Sequence, residues 1–74
     1  MENRMLQIYI RTVDLNGKLL NTAITAGGFG SYAEAKRHLD KTIEENKPDA
    51  GYNDENDYWW IRQGETIDRY TIGQ

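Results

Sequence analysis

The stretch "YWWIRQGETIDRYTI", residues 58–72, carries both tryptophans of the chain side by side, at positions 59 and 60. Consecutive side chains of a strand point to opposite faces, so a strand here turns one indole inward and the other outward. Gly64-Glu65 suits a two-residue type II′ turn, which places glycine first. That turn sets Trp59 opposite Tyr70, Trp60 opposite Arg69 and Ile61 opposite Asp68. Trp59, Ile61, Tyr70 and Ile72 then share one face, while Tyr58, Trp60, Arg62, Arg69 and Thr71 share the other. The first set is what a helix packs on, and burying one aromatic removes about 150–250 Å² from water. Trp59 is therefore expected in the core, and Trp60 outside and largely exposed.

A second hairpin is expected at the start of the chain. Residues 5–13 alternate, Leu6, Ile8 and Ile10 against Gln7, Tyr9 and Arg11, with the period of a half-buried strand. The connection "DLNGK", residues 14–18, admits two registers. A two-residue Asn16-Gly17 turn splits the apolar residues between faces. A three-residue loop with Gly17 in the left-handed conformation instead pairs Ile8 with Ile24, Ile10 with Thr22 and Thr12 with Leu20. The second register gathers Leu6, Ile8, Ile10, Leu20, Ile24 and Ala26 on one face and is the one expected.

Between the hairpins, "GGFG" breaks the strand and "SYAE" opens a helix, with Ser31 as N-cap and Glu34 completing a capping box. Ala35, Leu39 and Ile43 form a narrow stripe flanked by His38, Thr42 and Asn46, and Pro48 stops the helix at Asn46 or Lys47. Residues 47–57 are polar, acidic and Gly-containing and read as a long exposed loop. The expected fold is a two-layer α+β domain over residues 1–74, ordered β-β-α-β-β: a four-stranded antiparallel sheet of two hairpins with one helix on one face.

Composition narrows the chemistry. The chain has 74 residues, no cysteine and one histidine, so disulfide frameworks, Cys-based zinc sites and His-rich metal sites are excluded. No apolar run approaches the roughly 20 residues of a membrane span, and "MENRMLQIYIRT" lacks the apolar core and cleavage site of a signal peptide, so a cytoplasmic location is expected. Ser31, the only serine, is committed to the cap, His38 has no nucleophile beside it, and Glu44 and Glu45 diverge as helix neighbours. No enzymatic activity and no cofactor are expected. "GGFGS" lacks the Lys-Ser/Thr ending of a phosphate-binding loop, and the acidic loop lacks the ligand order of an EF-hand.

What remains is the outer sheet face, with Tyr9, Arg11, Tyr58, Trp60, Arg62 and Arg69 as candidate partner-binding residues. Glu34, Asp40, Glu44, Glu45, Asp49, Asp54, Glu55 and Asp57 all fall on the helix or the loop after it. The net charge of −3 thus conceals an acidic helix side and an Arg-aromatic sheet side. One reading is purely structural, Trp60 stacking on Arg69 across the strands. The function expected here is instead a non-enzymatic interaction module that binds a protein partner, a second copy being the simplest. Nucleic acid is a weaker alternative, because few lysines accompany the arginines and phosphate affinity depends on many cations. A further alternative turns the acidic helix and loop toward a basic protein as a charge mimic. Size and acidic balance are compatible with small bacterial or phage accessory proteins that act by binding, inhibitors of host defence among them.

Overall fold

In the computed structural model, which describes residues 5–74, the chain runs β1 (Leu6–Asp14), β2 (Leu19–Phe29), α1 (Tyr32–Asn46), β3 (Ala50–Asn53), β4 (Tyr58–Gln63) and β5 (Thr66–Gly73). One helix packs on an antiparallel sheet, as expected. The sheet has five strands, in the order β2-β1-β5-β4-β3, where four were expected. The additional strand lies inside the 47–57 segment that composition reads as a loop. "AGYN" is too short to display a period, and the four residues "DEND" that turn it back onto β4 read by composition as part of the acidic loop. Its conformation comes from pairing with β4, Ala50 opposite Ile61 and Tyr52 opposite Trp59.

The β4–β5 hairpin has the expected register. Gln63 faces Thr66, Trp59 faces Tyr70, and Gly64 takes a φ of +62° at the turn. Trp59 is 1 % exposed and packs with Ile8, Ala35, Leu39, Ile43, Ala50 and Ile61. Its Nε1–H donates to Asp40 Oδ1 on the helix at 2.9 Å. The Lys36 ammonium, 2.9 Å from Asp40 Oδ2, holds that carboxyl below its ordinary range against the opposing effect of desolvation.

The helix starts where expected: Ser31 Oγ accepts the Glu34 N–H at 3.2 Å. The Glu34 carboxylate reaches back to the Gly30 N–H at 3.1 Å, one residue ahead of the partner that a capping box employs. A second tie fixes the helix start to the β3–β4 turn. Asp57, at φ +53°, accepts from Tyr52 Oη at 2.6 Å and from Tyr32 Oη at 3.1 Å. Donation to this carboxylate pushes the Tyr52 phenol up to about 12.

The first hairpin departs from its expected register. The three-residue loop is present, Asp14 N–H donating to Lys18 O at 2.9 Å and Gly17 at φ +85°. Beyond it, however, β2 inserts Leu20, Thr25 and Gly28 as extra residues, so that Ile8 faces Ala26, Ile10 faces Ala23 and Tyr9 faces Ile24. Ala26 stays on the core side, but Leu20 and Ile24 are 52 % and 58 % exposed. Register is strongly specified only where one face is buried. The helix covers the Ile8–Ala26 end of this ribbon, and the molecule extends 43 Å in one direction against 24 and 21 Å in the others. Leu20 and Ile24, beyond that coverage, thus gain little from any particular register, whereas the Thr25 and Gly28 insertions fall toward the covered end, with Ala26 and Phe29 still packed on the core.

Candidate interaction face

The register determines which side chains share the helix-free face. Across β1 and β5, Arg11 stands opposite Arg69, Val13 opposite Ile67 and Tyr9 opposite Thr71. Across β5 and β4, Arg69 stands opposite Trp60 and Ile67 opposite Arg62. Two adjoining depressions result. One, of about 300 Å³, is lined by Tyr58, Trp60, Arg62, Ile67 and Arg69. The other, of about 520 Å³, is lined by Arg11, Val13, Asn56, Tyr58, Arg69 and Thr71. Tyr58 and Arg69 belong to both and form the wall between them.

Five of the six residues expected on this face, Arg11, Tyr58, Trp60, Arg62 and Arg69, are therefore brought together. Tyr9 is not among the lining residues. Its hydroxyl donates to the Gln74 carbonyl at 2.6 Å, and its ring lies against Gly73, where a Cβ would come within 3.3 Å of Tyr9 Cε2. It clamps the last strand to β1.

Trp60 faces outward but is half-buried, where a largely exposed side chain was expected. The reason is β3. Gly51 sits opposite Trp60, and a Cβ added there would come 2.9 Å from Trp60 Cζ2 and 3.1 Å from both Cε2 and Nε1. The indole thus lies across bare backbone that only glycine provides. The cation–π contact of the purely structural reading, Trp60 on Arg69, is replaced by another: the Arg69 guanidinium carbon lies 5.2 Å from the centroid of the Tyr58 ring.

The cations of this face are poorly compensated. Among the described residues, ion pairs join Lys36 to Asp40 and Lys47 to Glu44 on the helix side, and none involves Arg11, Arg62 or Arg69. Arg62 Nε–H donates to the Gly64 carbonyl at 3.3 Å. Arg69 Nε is buried with no hydrogen-bond partner. On the opposite face, burial and then the Asp68 charge raise the Tyr70 phenol, and Asp68 accepts from Thr12 Oγ1 at 2.8 Å.

Sequence reasoning placed Thr71 on this face without counting it among the candidates, and missed Val13, Ile67 and Asn56 as lining residues. Strand parity already places Ile67 with Arg69 and could have found it. Parity likewise places Val13 with Arg11, but its pairing with Ile67 depends on β1 lying beside β5. Other sequence features keep their structural reading. Phe29 packs against the core edge with its ring 5.4 Å from that of His38, and Ser31 and Glu34 occupy the N–H donors near the helix start. The described residues hold no cluster of His, Cys, Asp and Glu suited to a metal ion, and no helix among them is long and apolar enough to cross a membrane. No family model matches the chain, and no curated protein or solved structure matches it either.

Proposed function

We propose that the protein is a non-catalytic binding module that engages a protein partner through the helix-free face of its sheet. One observation carries this reading: Arg11 and Arg69 stand directly opposite each other, and among the described residues no ion pair compensates either. Like charges in that position destabilise a sheet, a cost that the contact of Arg69 with the Tyr58 ring offsets only in part. A partner that supplies negative charge relieves it. Around the pair lie the side-chain types that most often anchor protein interfaces, tryptophan, tyrosine and arginine, with half-buried Ile67 contributing apolar surface. Leu19 and Ile24, opposite Val13 and Tyr9, extend that apolar surface along β2 and are exposed.

The test is affinity capture from cells of the source organism with three baits: wild type, Arg11→Glu/Arg69→Glu, and Glu44→Lys/Glu45→Lys. A partner retained by wild type and the helix variant but lost from the arginine variant supports the reading. Retention by the arginine variant with loss from the helix variant would move the function to the acidic side, as a charge mimic.

A further inference from the structure

We infer that the arginine pair is a seat for a single carboxylate of an acidic peptide segment, with an adjacent aliphatic side chain of that segment filling the depression between Trp60 and Ile67. The inference rests on the binding-module reading and gives its recognition chemistry. Directly opposed residues of an antiparallel pair have Cβ atoms about 4.5–5.5 Å apart, so guanidinium groups at Arg11 and Arg69 can flank one oxyanion and bind it by charge-assisted hydrogen bonds. Arg69 is partly organised for this already. Tyr58 supports its guanidinium at 5.2 Å, which limits the side-chain freedom lost on binding. The Arg69 Nε is buried without a hydrogen-bond partner, so a docking carboxylate meets the terminal nitrogens of the guanidinium. Asn56 and Thr71 add an amide and a hydroxyl to the same wall.

The surroundings select a carboxylate over a phosphate chain. No lysine lines either depression, and the turn that carries Asn56 also carries Asp54, Glu55 and Asp57. An isolated carboxylate satisfies the two arginines and stops. A nucleic-acid strand, or a run of acidic residues, would continue toward that acidic turn and be repelled. The neighbouring depression, lined by Trp60, Ile67 and Tyr58, is about 300 Å³, room for one aliphatic side chain and unsuited to a sugar-phosphate backbone.

The experiment pans a library of random seven-residue peptides on phage against wild type, then measures synthetic versions of the winners by fluorescence anisotropy. The panel is wild type, Arg11→Gln, Arg69→Gln and Trp60→Ala, with a fluorescent oligo-dT as a second probe. We expect winners with one Asp or Glu within two residues of Leu, Ile or Val. Loss of either arginine, or Glu→Gln in the peptide, should weaken binding roughly 10- to 100-fold, and the two losses should not add. Arg11→Gln should melt no lower than wild type, because removing one of two opposed like charges relieves the sheet. Winners without an acidic residue, yet lost in Trp60→Ala, would overturn the carboxylate seat and leave the binding face standing. No winners, or winners indifferent to all three variants, would overturn both. Oligo-dT binding tighter than any peptide and abolished by the arginine variants would replace the carboxylate by phosphate.

Discussion

Trp60 and Gly51 provide the most direct test of the second indole's role. In an ordinary strand, Gly→Ala stabilises by roughly 0.5–1 kcal/mol, because glycine loses the most conformational freedom on folding. At Gly51 the new methyl would lie 2.9 Å from Trp60 Cζ2 and 3.1 Å from Cε2 and Nε1, inside the closest contacts carbon atoms tolerate. Forcing a methyl into packed space costs about 1–3 kcal/mol. Subtracting the entropic gain, Gly51→Ala should destabilise by roughly 0.5–2 kcal/mol. In a Trp60→Ala background the obstruction is gone and the same change should stabilise by about 0.5–1 kcal/mol. The coupling in the double-mutant cycle is thus about 1–3 kcal/mol, several times what independent sites show. Urea unfolding followed by far-UV circular dichroism measures all four proteins, since neither change alters the buried Trp59. If Gly51→Ala stabilises the protein whether or not Trp60 is present, the indole does not rest on β3 and the argument for its half-buried position fails.

Three further outcomes are expected. Trp59→Ala should cost about 3–5 kcal/mol, the range for a buried large aromatic, whereas Trp59→Phe keeps most of the packing but loses the bond to Asp40; chemical denaturation that ranks Trp60→Ala as the costlier variant would invert the assigned faces. The Tyr52 phenol, pushed up to about 12 from an ordinary 10, favours the fold while it is protonated, so its contribution is complete below pH 10 and disappears as pH rises toward 12. Urea midpoints across that range should fall less steeply in Tyr52→Phe than in wild type, with a residual slope from Tyr32 and Tyr70, whose phenols are also raised; parallel slopes would dissociate Tyr52 from Asp57. If two copies meet through the arginine face, their like charges oppose contact, so sedimentation equilibrium should show weak dimers that strengthen with salt and vanish in Trp60→Glu. A dimer insensitive to Trp60→Glu would place self-contact elsewhere, the exposed Leu19, Leu20 and Ile24 of β2 being the next surface to vary.

The elements legible from sequence are those specified within a few residues. Gly64-Glu65 determines the last hairpin, and with it the separation of Trp59 from Trp60. Ser31, Glu34 and Pro48 bracket the helix, and the Ala35-Leu39-Ile43 stripe names the face it buries. Five of the six candidate face residues follow from strand parity alone. The rest required contacts between segments distant in the chain. β3 is a strand only because β4 is there to pair with it, and Trp60 is half-buried only because that strand brings Gly51 beneath it. Tyr9, alike in parity to Arg11, became a clamp on Gln74 because β5 runs beside β1. The β2 register slipped through three inserted residues, Leu20, Thr25 and Gly28, that no local pattern records. The same adjacency of β1 and β5 sets Arg11 against Arg69. Sequence shows two arginines 58 positions apart; only the order of strands makes them an uncompensated pair, because charge acts through distance in space and not along the chain.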